Sequence, residues 1–229
     1  MPHSPAFVRA LALAAAMGAA AAAHANLLVN GSFENGAFVN QGNDTMSPLV
    51  GSTAITGWAV VTDTTAWIGP NNPFLLAASD GSYFLDLTNY QEGPPFAGVS
   101  QAITTIPGAV YSLSFDLGSS NHWGRPDSLT ASAGGASQTF LSPSTGTNND
   151  WTHESMQFTA TGATTTVLLQ GASGFNYIGL DNVDVELLSL PAVPEPETWA
   201  LLLGGIGVLA GRVRRASRQS APTAPVTRT

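Results

Sequence analysis

The sequence predicts an all-β fold, a single antiparallel β-sandwich, on three observations. Apolar residues between positions 26 and 190 recur at every second position, the period of a half-buried strand. Gly, Ser, Thr and Asn punctuate these stretches at a spacing of about ten residues, the rhythm of short strands joined by turns. No long helical period and no fixed repeat interrupts them, which argues against a solenoid or a propeller.

In chain order, the first element is an export signal. Arg9 precedes Ala10–Ala23, an Ala/Leu run, and Ala23-His24-Ala25 supplies a small-x-small cleavage pattern. Cleavage between Ala25 and Asn26 makes residues 1–25 a signal peptide. Strands are then expected at Trp58–Thr62, Tyr83–Leu87, Val99–Ile103, Val110–Leu117, Ser128–Ala133, Gln138–Leu141, Met156–Ala160, Thr165–Gln170 and Leu180–Leu187. The clearest is Val110–Leu117, where Tyr111, Leu113, Phe115 and Leu117 face one way and Ser112, Ser114 and Asp116 the other. An earlier strand is expected to close at Phe33-Glu34.

Residues 191–229 form the last element. Pro194 and Pro196 break regular structure around Glu195, and the run Trp199–Gly211 carries no charge. A short hydrophobic helix over 198–211 spans about 20 Å at ~1.5 Å per residue, against roughly 30 Å of bilayer core. It is membrane-seeking but short. Arg212, Arg214, Arg215 and Arg218 behind it place the tail on the cytoplasmic side by the positive-inside tendency.

What remains, residues 26–190, is one domain; a second does not fit. Of the 15 acidic residues, Glu195 and Glu197 lie outside it, and of the 7 basic ones, all arginines, only Arg125 lies inside. Thirteen acids against one arginine leave a net charge of −12, so nucleic acid is excluded as a partner. Cations, neutral sugars and proteins remain. With no cysteine, the domain is held by packing and by any bound metal.

The tail resembles the PEP-CTERM sorting signal, with Pro194-Glu195-Pro196 as the motif, then the short helix, then the arginine cluster. The resemblance implies export through the inner membrane of a Gram-negative bacterium and recognition by an exosortase. Membrane contact through the helix would precede processing, and the destination would be the outer surface or extracellular matrix. Residues Gln219–Thr229 continue past the arginines, where such signals usually stop.

The body resembles the choice-of-anchor C family and, more distantly, carbohydrate-binding modules of the galactose-binding-like jelly roll. Segments carrying the likeness include Asn30-Gly31-Ser32-Phe33-Glu34, Thr56-Gly57-Trp58, Asp80-Gly81-Ser82, Leu85-Asp86-Leu87, Gly98-Val99-Ser100-Gln101, Ser114-Phe115-Asp116-Leu117 and Leu180-Asp181-Asn182-Val183. The likeness implies that the first and last segments meet and hold a structural Ca²⁺ through Glu34 and Asp181. Alternation supports a special role for Asp181, because it shares a face with Val183, Val185 and Leu187, and a carboxylate at the mouth of a core needs a partner. Calcium, with its preference for several oxygen ligands, is one such partner. Backbone N–H groups of a turn are the other.

Sugar recognition needs aromatic faces for the apolar side of a pyranose and polar groups for its hydroxyls. Asn121, Trp123 and Arg125 form the best local candidate, in a Gly- and Pro-containing stretch after the strongest strand. Trp67 and Tyr90 are further candidates, while Trp58 and Trp151 border strands and read as core. Alternatively Trp123 folds back on the sandwich edge and Arg125 pairs with Asp127 or Asp116. Catalysis finds little support: no Gly-x-Ser-x-Gly elbow or His-Glu-x-x-His motif is present, and Asp150 and Glu154 only flank a strand start. The expectation is a secreted or surface-displayed, non-catalytic protein of an exopolysaccharide or biofilm matrix that binds extracellular polysaccharide. A structural or adhesive protein acting through protein contacts is the alternative, and a small hydrolase a minor one.

Overall fold

A computed structural model describes residues 25–120, 122–123, 127–142, 150–191 and 206. The chain divides into two units, residues up to Ser189 and the tail Leu190–Thr229. In the tail, Ile206 is helical. The residues of the signal peptide before Ala25, the Pro194-Glu195-Pro196 motif and the four arginines behind it lie outside the described residues. No helix long and apolar enough to cross a membrane occurs among the described ones.

The first unit is all-β, with eleven strands among its described residues. They are β1 (Thr45–Met46), β2 (Ala59–Val61), β3 (Ala66–Ile68), β4 (Phe84–Asp86), β5 (Gly98–Thr104), β6 (Val110–Ser119), β7 (Asp127–Ala133), β8 (Ala136–Ser142), β9 (Asp150–Thr159), β10 (Thr164–Ser173) and β11 (Gly179–Ser189). Two antiparallel sheets result, one of six strands in the order β1-β3-β4-β11-β6-β9 and one of five in the order β2-β5-β10-β7-β8. The nine expected strands are all present. Two-residue β1 and three-residue β3 were not expected, because an alternation that short cannot be told from a turn.

The inner faces bury the expected alternation. Tyr111, Leu113, Phe115 and Leu117 of β6 meet Val99, Ile103, Leu129, Val167 and Leu169 of the other sheet in the main core. Tyr111 stacks on Phe158 with ring centroids 5.3 Å apart, and its hydroxyl accepts a hydrogen bond from the Ile106 N–H. Such a ring pair adds about 1 kcal/mol to its area burial.

Two expectations near the chain ends need correction. Residues 26–34 are not a strand; they run as bends tied to β11, with Leu27 N–H donating to Val185 O and Val183 N–H donating to Gly31 O. Asp181 does not share the core face with Val183. A β-bulge between Asp181 and Asp184, with Asn182 at φ 49°, flips the alternation, so Leu180 joins Val183 and Val185 in the core. Asp181 is fully buried under a loop on the outer side of the six-stranded sheet.

Candidate functional site

That loop, residues 69–83, joins β3 to β4 and covers the outer face of the six-stranded sheet. Ala66 and Ile68 of β3 and Phe84 of β4 point outward into a second, smaller core with Leu76 and Tyr177, against which Phe74, Ala78, Trp123 and Trp151 pack. The loop has no ladder of its own, so side chains must satisfy its backbone. The Asn72 amide donates to Gly69 O and Leu76 O, the Trp123 indole N–H donates to Phe74 O at 2.8 Å, and that of Trp151 to Ala77 O at 2.9 Å.

The two acids expected to hold calcium clasp the same loop. Asp181 Oδ2 accepts from Ser79 N–H, Ser79 Oγ and Asp80 N–H, and its Oδ1 from Asn182 N–H. Glu34 Oε1 accepts from Ser82 N–H and Tyr83 N–H, both at 2.7 Å. Between them Gly81 turns at φ 70°, and a side chain there would collide with the Glu34 carboxylate. The first and last segments do meet at this loop, with Glu34 Oε1 and Asp181 Oδ2 accepting its N–H groups. No group of three or more His, Cys, Asp or Glu side chains able to hold a metal occurs among the described residues. This donor set serves as a cap for the turn.

Beside the loop lies a pocket of about 360 Å³. Phe74 and Leu76 of the loop, Tyr90 and Trp123 form its apolar walls; Asn43, Thr45, Asp86 and Asn176 supply its polar groups. The aromatic rings stand at angles rather than in a stack. The Phe74 and Trp123 centroids are 5.8 Å apart at 87°, and those of Phe74 and Tyr90 5.7 Å apart at 47°. The backbone around the pocket is bent against preference: Asn43, Tyr90 and Asn176 in the lining have φ of 56°, 66° and 62°. So do their neighbours Asp44, Leu75 and Asn89, and Leu75, 64% exposed at φ 60°, has no side-chain reason to adopt it. Residues held in this region cluster at ligand sites because the surrounding structure must hold them there.

Three carboxylates of this unit are buried, and Asp86 among them lines the pocket. Asp86 is almost wholly buried, and burial pushes its carboxyl up to about 6 against opposing hydrogen bonds from Ile178, Thr88 and Tyr90. Burial also raises Asp181, to about 7, and Asp127, to about 8, the latter helped by the charge of Asp86. Both oxygens of Asp127 are buried without a hydrogen-bond partner. The Tyr177 hydroxyl, raised well above its ordinary value first by burial, feels all three charges.

The structure therefore sorts the predicted residues. Trp123 and Tyr90 come together at one pocket. Trp67 is 1% exposed, its N–H bonded to Phe33 O, and belongs to the main core, because β3 points it inward. Trp151, expected in the core, instead packs over the outer face. Asn121 and Arg125 lie outside the described residues; Asp116, a suggested partner of Arg125, is engaged by His153 Nδ1 at 2.7 Å and by the Asn182 amide. Asp150 and Glu154 lie on β9, the edge strand next to β6. Phe74, Asp86 and Asn176 were missed. The run Pro70-Asn71-Asn72-Pro73-Phe74, turn residues ending on an aromatic, was the available signal for the first of them.

Comparison with known proteins follows this division. The family described as "Protein of unknown function (DUF642)" matches residues 26–176, and the PEP-CTERM protein-sorting motif matches residues 192–218. No curated protein matches the sequence. Among solved structures, the chain is similar to TmCBM61 in complex with β-1,4-galactotriose, at 18% identity and a TM-score of 0.43, covering 72% of this chain and 99% of that one. It is similar to a CBM4 structure at 16% identity and a TM-score of 0.41, with 70% and 99% covered. The CBM22-1 xylan-binding domain of Paenibacillus barcinonensis Xyn10C is a third, at 15% identity and a TM-score of 0.40, with 68% and 100% covered.

Proposed function

The chain belongs to the DUF642 family and carries a PEP-CTERM sorting motif, and we propose that it is a non-catalytic carbohydrate-binding protein displayed or released at the surface of a Gram-negative cell. The observation that carries this reading is the pocket walled by Phe74, Tyr90 and Trp123. Aromatic faces cover the C–H side of a pyranose, while the Asn43 and Asn176 amides suit its hydroxyls. A volume of about 360 Å³ is at the lower end for ligand sites, which suits one sugar unit or a chain end. The sorting motif supports export and exosortase processing, and the proposed partner is extracellular polysaccharide of the matrix. A glycan array probed with the purified protein tests the proposal. Retention of at least one glycan class, lost in Trp123→Ala, is expected; no retention on any class would overturn it.

A further inference from the structure

The pocket is a box of ring faces over a carboxylate, and this geometry is more particular than sugar binding requires. A pyranose stacks on one open platform. Here the Phe74 and Trp123 rings are nearly perpendicular, and Tyr90 is tilted 47° to Phe74, so that the three rings line one pocket at different angles. The hydrogen-bonding edge of Trp123 is already engaged, its N–H donating to Phe74 O. What the walls present is therefore π surface. Aromatic faces carry the negative end of the ring quadrupole, and a cation within about 6 Å of the centroids is attracted to them.

The charges agree with the rings. Asp86 lines the pocket, and its Oδ1 accepts three hydrogen bonds of 2.9–3.0 Å, from Thr88 N–H, Thr88 Oγ1 and Ile178 N–H. Its Oδ2 has only the longer contacts to Thr88 Oγ1 at 3.1 Å and Tyr90 N–H at 3.4 Å. No lysine or arginine occurs among the described residues to balance the Asp86 charge. An anionic sugar would meet repulsion here.

We propose that the pocket formed by Phe74, Tyr90, Trp123 and Asp86 selects a sugar bearing a free ammonium group, an unacetylated hexosamine unit, over its neutral counterparts. This rests on the carbohydrate-binding reading and narrows it. The rings hold the ammonium by its charge, Asp86 Oδ2 supplies the counter-charge, and the Asn43 and Asn176 amides take sugar hydroxyls. An N-acetyl group would remove the charge and add bulk to a pocket with room for little more than one unit.

The test compares three small probes of the same ring on the full chain by calorimetric titration: methyl glucosaminide, methyl N-acetylglucosaminide and methyl glucoside, each at neutral pH. Affinity for the first is expected to exceed that for the other two at least tenfold. Trp123→Leu and Tyr90→Leu are each expected to weaken it at least tenfold, with the unchanged fold checked by circular dichroism; choline is expected to compete. If one variant unfolds, the other decides. Equal or tighter binding of the neutral probes would overturn the ammonium inference and leave the carbohydrate reading standing. Amine binding that survives both substitutions would mean general attraction to an acidic surface and would also overturn it. If none of the three probes binds while the array retains a glycan, the inference falls alone; if the array is also blank, both fall.

Discussion

The outer faces of the two sheets are opposites. That of the five-stranded sheet is bare and regular: rows such as Ala59, Ser100, Leu168, Ser132 and Ser137 run across all five strands in unbroken pairing. Its exposed side chains are neutral, and hydroxyls pair with one another across strands, Thr130 with Thr139 at 2.8 Å and Ser132 with Ser137 at 2.9 Å. Asp127, which is buried, is the one charged residue in those five strands. The outer face of the six-stranded sheet is covered by an irregular loop, carries buried acids and is bordered by left-handed backbone. The comparison teaches that one sheet serves as a rigid support and that chemistry is concentrated where loop side chains must satisfy backbone and charge without a ladder.

The largest effect should come from freeing the loop. Asp181→Ala removes the acceptor of two loop N–H groups and one hydroxyl, and is expected to cost about 3 kcal/mol in urea denaturation as well as ligand binding. A loss below about 1 kcal/mol would show that the loop is held by its aromatic contacts instead. Because Asp181 and Glu34 act as caps, adding calcium or EDTA to the unaltered protein should leave the melting temperature unchanged; a rise of several degrees with calcium would restore the metal reading.

Next is Trp123→Ala, for which a tenfold or greater loss of glycan affinity is expected, at least about 1.4 kcal/mol. On sequence alone this exposed-loop residue should leave stability intact. The structure alters that expectation: the indole is half-buried, bonded to Phe74 O and packed on the second core, so thermal unfolding should show a loss of about 1–2 kcal/mol.

Acid–base behaviour gives the third prediction. Asp127, Asp86 and Asp181 have raised values in the folded state, so the native protein binds more protons than the unfolded chain above about pH 4. Stability is therefore greatest at low pH and falls as pH rises through about 6, 7 and 8, the opposite of a domain held by salt-bridged carboxylates. Asp127→Asn should flatten the top of this window, seen as a smaller drop in melting temperature between pH 7 and pH 8.5. An unchanged slope would mean that Asp127 is solvated.

The smallest effect belongs to the bare face. Thr166→Ala lies among neutral side chains and should change stability by no more than about 0.5 kcal/mol and leave glycan affinity untouched. A loss of binding there would make the five-stranded face part of the site and dissolve the contrast.

Tyr90 and Trp123 were legible as candidates because an aromatic in a stretch rich in Gly, Pro and Asn is a local pattern, and both line the pocket. Trp67 was misjudged for the same reason: three residues of β3 are too few to reveal which side chain points inward. The sequence by itself determined the all-β class, nine of the eleven described strands, the core face of β6, the acidic character and the sorting tail, since each rests on periodicity, composition or a contiguous motif. Tertiary structure decided the bulge that turns Asp181 from the core to the loop, and the meeting of Phe74, Tyr90, Trp123 and Asp86 at one pocket. It also decided the use of Glu34 and Asp181 as caps. These depend on contacts between residues up to a hundred positions apart, and a one-residue bulge reverses every face assignment beyond it, so no local pattern could contain them.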